Sequence, residues 1–227
     1  MNVLVADSWH RVHPDARVGV LTLRQVHNPA HHDLLDSRRD ALEAALRARF
    51  AGWSRAELSQ LPTIRAYSAF YRAFGKSYHV LPQLESVALK GRPLARPTAL
   101  VQAMFMAEVE SQLLTAGHDL DAIRPPLTIA VASGEETYTR IDNQPQTLKR
   151  NDMYMSDSQA VISSVIYGPD GRTRITPDSS GVMFVTYAPS GIPEEAVHRH
   201  LAAIREYVLI VSPGAEPGAV EIWGKGD

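Results

Sequence analysis

From Val18 to Val26 the apolar and β-branched residues fall at strand spacing, and Asn28-Pro29 closes the run with a turn signal, so an early strand is predicted there. The period then changes. Between Asp33 and Phe50, Leu34, Leu35, Leu42, Ala45, Leu46 and Phe50 recur near three and four apart with Gly52 just beyond, the pattern of an amphipathic helix. Ser54 and Glu57 stand at capping-box spacing and start a short helix. Pro62 fits the first position of a helix running to Phe74, where Gly75 offers a left-handed stop, and Pro82 and Gly91 bracket another short helix. Pro97 opens the most apolar helix, Thr98 to Leu114, whose first three turns have almost no polar face; it is predicted to be buried and central.

After Pro125-Pro126 the pattern turns to short β-rich runs, Leu127 to Val131, Thr137 to Ile141, Ala160 to Ile166 and Val182 to Tyr187, separated by Gly, Asn, Asp and Pro. Pro193, followed by Glu194 and Glu195, begins a last helix through about Tyr207, its early acids matching the positive end of the helix dipole. The tail from Ser212 to Asp227 is Gly- and Pro-rich, flexible or with Val220 to Trp223 as an edge strand. The helices of the first half need the sheet of the second to bury their faces, so residues 1–227 are read as one α+β domain with helices laid on a sheet layer or sandwich.

Composition narrows the chemistry. The chain has 227 residues, 44% apolar and 21% charged, enough for one sizeable core or at most two small ones and unlike a disordered or fibrous protein. Ala99 to Val109 is broken by Gln102 and Glu108, and the N-terminus lacks a basic segment followed by an apolar one, so no membrane partner is expected and the cytosol is the expected location. With no cysteine, disulfides, thiolate nucleophiles and sulfur-ligated zinc drop out. A net charge of −2 argues against nucleic-acid binding by bulk charge, so DNA is not an expected partner and any RNA contact must be local. One such place exists: Arg65, Arg72, Lys76, Lys90, Arg92 and Arg96 face the single acid Glu85, although solvated helix faces and loop ends give the same pattern.

The histidines fail as metal ligands. Pro29 interrupts His27, His31 and His32, and His198 and His200 point roughly 200° apart on a helix, so no metal site and no cofactor is expected. No G-x-S-x-G pentapeptide, P-loop or dinucleotide fingerprint occurs. Polar segments gather instead at element ends: Gly117-His-Asp-Leu-Asp121, Ser133-Gly-Glu-Glu-Thr137 in a tight hairpin, and Tyr167 to Thr176. The first sets an imidazole beside a carboxylate, as needed to orient a water, but Gly117 and Asp119 equally make a helix stop and a side-chain-stabilised turn. Glu108, deep in an apolar helix, lies either at a solvated edge or buried with a partner, and Met104 either packs the core or lines an adaptable pocket.

Tyr71-Arg-Ala-Phe-Gly75, Pro97 before the apolar helix, Gly117-His-Asp-Leu-Asp-Ala-Ile123, Gly134-Glu135 and Arg172-Thr-Arg-Ile-Thr176 stand in an order and spacing that resemble the editing, or tRNA-binding, domain of the phenylalanyl-tRNA synthetase β subunit in its freestanding form. The resemblance covers residues 18–190. It implies an α+β fold, tRNA as partner through its acceptor end, and hydrolysis of the aminoacyl ester of mischarged tRNA in trans. ATP motifs and an anticodon-binding segment are missing, so the chain is not expected to charge tRNA. The sequence also departs from the synthetase pattern: the family histidine falls near Ala116, two residues before His118, and a recognition glutamate falls near Asp170 or Gly171.

On that resemblance His118 and Asp119 position water or the terminal ribose, and Glu135 or Asp170 anchors the α-ammonium. Glu108 and Met104 join the substrate-binding set. Arg172 and Arg174 contact phosphate, and Lys76, Lys90, Arg92 and Arg96 extend the phosphate track. A non-catalytic RNA- or amino-acid-binding module of the same fold is the alternative, a metal-dependent hydrolase a distant third, and self-association stays open.

Overall fold

The computed structural model describes residues 2–224. In chain order the elements are β1 (Val3–Val5), α1 (Asp7–Val12), β2 (Arg17–Arg24), α2 (Asp33–Arg49), α3 (Arg55–Leu58), α4 (Pro62–Ala73) and α5 (Val80–Leu84), which runs on into a π-helical turn (Glu85–Leu89). Then come α6 (Ala99–Ser111), β3 (Thr115–Asp119), β4 (Leu127–Val131), β5 (Thr137–Thr139), β6 (Pro145–Thr147), β7 (Met153–Ser156), β8 (Val161–Ser164), β9 (Gly168–Pro169), β10 (Gly181–Ala188), α7 (Glu194–Val211), β11 (Glu216–Pro217) and β12 (Glu221–Trp223). The class is α+β, as the alternation of patterns predicts.

Two five-stranded sheets carry the fold. One has the order β1-β4-β7-β8-β9, with β1 parallel to β4; in the other β11 and β12 both pair with β2, followed by β10 and β3, all antiparallel. β5 and β6 form a separate hairpin. β10 is buried along its whole length, as a strand with paired neighbours and packed layers on both faces must be. α7 lies on β2 so closely that a Cβ added at Gly19 would sit 2.5 Å from Val197 Cγ1. One continuous apolar cluster joins the inner faces of both sheets to α2, α4, α6 and α7.

Local signals place most element ends. Ser54 and Glu57 form the capping box, Pro62 is the first residue of α4, and Gly75 adopts φ +67° beyond it. Lys149 Nζ also donates to the Phe74 carbonyl at that helix end. Pro82 lies inside α5, two residues after its start. An ion cluster on α2, with the buried Arg39 between Asp36, Asp40 and Glu43, reaches across the chain: Glu43 Oε1 accepts the Leu94 N–H and pins the segment before α6.

The largest difference from expectation lies after α6. Gln112, at φ +61°, ends the helix, and its side-chain amide donates to the carbonyls of Val109 and Glu110. Gly117 is therefore not a helix stop but the middle of β3, paired with Phe184 of β10. The hairpin expected at Ser133–Thr137 is also displaced: this segment is a turn leading from β4 into β5, and β5 closes its hairpin with β6. The final tail pairs with β2 through β11 and β12; Lys225–Asp227 lie outside the described residues.

Candidate functional site

α6 and β3 meet the loop of residues 164–169 around a cavity of about 570 Å³, within the range of small-ligand pockets. Val101, Met104, Phe105 and Glu108 come from one face of α6, Leu114 from just before β3 and residues 115–117 from β3, and Tyr71 and Tyr187 from the inner wall. Towards solvent stand Tyr167, His79, Arg174 and Ile141, the last from the β5–β6 turn and 49% exposed despite its apolar side chain. Gly117 keeps the space open: a Cβ there would lie 2.8 Å from Ile175 Cδ1 and 3.4 Å from Met104 Sδ.

Most polar groups of the wall are already engaged. Tyr71 Oη donates to the Val165 carbonyl at 2.7 Å, and Tyr187 Oη pairs with Ser163 Oγ at 2.6 Å. Thr115 Oγ1 lies 2.5 Å from Nε2 of the buried His200, whose Nδ1 is 2.7 Å from Ser111 Oγ. Glu108 differs. It is 2% exposed, Oε1 accepts the Thr115 N–H at 2.8 Å, and Oε2 takes no hydrogen bond from the described residues. Burial pushes its carboxyl up to about 8, and the Thr115 N–H offsets this only in part. Behind the 164–169 loop, Asp152 is fully buried, and neither carboxylate oxygen has a hydrogen-bond partner of good geometry. Burial raises it to about 7, against the pull of the nearby Ser164 hydroxyl and the Ile166 and Met153 N–H groups.

Of the residues singled out in the sequence, Glu108, Met104 and Arg174 line this cavity. His118 does not. Gly117 faces Met104 of α6, so its strand neighbour points to the other side. There His118 is fully buried, with Nδ1 2.7 Å from Thr173 Oγ1, whose hydroxyl donates to Asp170 Oδ1. That hydroxyl has one proton, so Nδ1–H donates to it and Nε2 is bare. Burial first, then the Arg172 charge, lower the imidazole to about 3, and a neutral ring away from the cavity does not meet a substrate water. Asp119 is also engaged elsewhere: Oδ2 accepts from Ser179 Oγ at 2.5 Å and Oδ1 from the Asp121 N–H at 2.9 Å, the side-chain-stabilised turn. The imidazole–carboxylate pair of the sequence reading is therefore replaced by two separate structural roles.

Glu135 is exposed in the turn after β4 and does not line the cavity; its neighbour Glu136 accepts the N–H groups of Ser133 and Gly134. Asp170 is buried and holds Thr173, with burial raising its pKa. Arg172 donates to Asp157 at 2.7 Å and to the Ala122 carbonyl at 2.9 Å, a strap between loops away from the cavity lining. Lys76 sits over the Tyr167 ring, 5.3 Å from its centroid, at the cavity mouth. Lys90 pairs with Glu85 at 2.7 Å, and neither it nor Arg92 nor Arg96 reaches the cavity. Thr115, Tyr187 and Asp152 carry no sequence signal of their own: Thr115 follows a predicted helix, Tyr187 ends a predicted strand and Asp152 lies outside every predicted element.

Among the described residues no cluster of three His, Asp or Glu side chains has the grouping of a metal site, and no helix is long and apolar enough to cross a membrane. No protein-family model matches the chain, and neither does any curated protein. Among solved structures it is similar to an N-terminal fragment of the phenylalanyl-tRNA synthetase β-subunit from Pyrococcus horikoshii, with a TM-score of 0.49 and 13% identity over 95% of this chain and 50% of that one. The chain thus spans about half the length of that fragment. A likeness this loose assigns no activity.

Proposed function

We propose that the cavity receives the esterified amino acid at the acceptor end of a mischarged tRNA and that the protein hydrolyses the ester in trans, in the cytosol. The observation that carries this reading is Glu108: a buried carboxyl with one free oxygen, poised near neutral pH at the inner end of an apolar cavity. The order of segments resembling the synthetase editing domain supports it. An aminoacyl ester is already activated, so positioning and a proton acceptor supply much of what hydrolysis needs. Ionised Glu108 takes a proton from water as the oxygen adds to the ester carbonyl. The tetrahedral intermediate then expels the ribose oxygen, which recovers that proton from Glu108. The apolar wall around Met104 and Phe105 holds the side chain of the amino acid, and Arg174 faces the phosphate nearest the ester.

Purified protein incubated with tRNAs misacylated by a panel of amino acids tests this directly. Ester loss above background for at least one amino acid, lowered by about 10²–10⁴-fold in Glu108→Gln, is expected. Background rates across the panel together with measurable RNA binding would replace it with a non-catalytic module using the same cavity, a reading favoured by the withdrawal of His118 from the cavity wall.

A further inference from the structure

Two surface grooves outside the cavity run along α4. The larger, about 710 Å³, is lined by Arg65, Ser68 and Arg72 of that helix and by Ser190 and Gly191; the smaller, about 350 Å³, is lined by Ser68, Arg72, Lys76 and His79. They share Ser68, Arg72 and Leu81, and the smaller one shares His79 with the cavity, so one depression leads along α4 to the cavity mouth. No Asp or Glu lines either groove. Arg65 and Arg72 lie seven residues apart, about 10 Å along the helix, with the small residues Ala66, Ser68 and Ala69 lining the groove between them. Both are exposed and make no ion pair among the described residues. Arg55 also lines the smaller groove but is paired with Glu85. Charge left uncompensated in a concave, acid-free track favours a chain of anions.

We infer that this α4 groove is the path of a single-stranded RNA end, with Arg65, Arg72 and Lys76 contacting successive phosphates and the terminal residue entering the cavity past Tyr167. The inference rests on the proposed reading of the cavity and moves the phosphate track away from residues 90–96. The occupant follows from the junction: a polyanionic strand ending in one small group matches a basic groove that opens into an apolar pocket. Tyr167, half-buried beneath Lys76, offers a ring face where the last base can stack.

Fluorescence anisotropy of a short labelled single-stranded RNA ending in cytidine-cytidine-adenosine, titrated at several salt concentrations, tests the path. The combined variant Arg65→Gln, Arg72→Gln, Lys76→Gln is compared with the combined variant Lys90→Gln, Arg92→Gln, Arg96→Gln, and circular dichroism checks the fold of each. Removing three single-strand phosphate contacts should flatten the plot of log affinity against log salt by about 2, while the second variant follows the unmodified protein. No RNA binding by the unmodified protein, equal slopes in the first variant, or flattening by the second variant instead, each overturns the groove. Binding is read without ester turnover, so an inactive protein with the expected slopes would sink the deacylase reading alone. Ester hydrolysis on tRNA with unaltered slopes would sink the groove alone.

Discussion

A carboxyl group that stays protonated near neutrality is expensive to ionise, and the residue that has this property inside the cavity is Glu108. As a base it works only when ionised. Deacylation by the unmodified protein should therefore rise with pH and level off above about 8, whereas an ordinary exposed carboxylate would already give a flat profile there. Rates measured from mildly acid to mildly alkaline buffer check this, and Glu108→Gln should leave a low, flat remainder. Asp152 makes the corresponding prediction for stability. Its folded pKa of about 7 lies above its ordinary value, so its protonated form favours the folded state at low pH and that contribution is lost as pH rises through 7. That loss begins near the ordinary value of 3.8 and is complete above 7, so Asp152→Asn should raise the denaturation midpoint more at pH 8 than at pH 5. Urea unfolding at both values decides, and equal shifts at the two would remove Asp152 as the cause.

Between elements, the tight contacts are made by missing side chains. β2 and α7 approach at Gly19, where a Cβ meets both Val197 and Leu201 within 3 Å. Gly19→Val should cost about 1–3 kcal/mol by overpacking, read as a lower urea midpoint, and a neutral result would show that α7 moves away freely. Gly117 has a different consequence, because the volume it leaves open belongs to the cavity rather than to the core. Gly117→Val should restrict the cavity, so the deacylation rate falls most for the bulkiest amino acids in the misacylated panel. A uniform loss across the panel would mean that the fold, not the pocket, had been disturbed. Capping by Ser54, Pro62 and Gly75 was legible because it is chemistry within a few residues. The end of α6 was not, since Gln112 adopts a left-handed backbone that its own amide and the Tyr78 hydroxyl stabilise only in the folded core.

Across the whole molecule, buried imidazoles and buried carboxyls act on stability in opposite senses as pH changes. His118 and His200 are both pushed down to about 3 by burial, so they resist protonation when folded and take protons below about 6.5 when unfolded. Their contribution is present above that value and is lost as pH falls towards 3, while those of Glu108 and Asp152 are lost towards alkaline pH. Between about pH 4.5 and 6.5 the two pairs oppose each other, and above that the carboxyls act alone. Stability should therefore be greatest in mildly acid solution and fall between pH 6.5 and 8 by an amount of the order of 1 kcal/mol per pH unit for each carboxyl still titrating. A series of urea unfolding curves across this range measures it, and a maximum at pH 8 would contradict the buried state of these carboxyls.

Periodicity and local chemistry in the chain were sufficient for the α+β class, the buried helix after Pro97, the strands at residues 18–26 and 182–187 and most caps, because each depends on neighbours within one or two turns or on a face that must leave water. Glu108 and Met104 were singled out as well, each with a bland alternative, and their common face on the cavity came only with the fold. Which loop ends converge was not. His118 reads as a reactive imidazole beside a carboxylate, yet strand alternation and its pairing in β3 turn it away from the cavity and hand it to Thr173. Asp152 and the α4 groove depend on segments far apart in sequence coming to lie side by side. Burial, and with it the protonation of each carboxyl and imidazole, is a property of that assembly, so only the tertiary structure decides it.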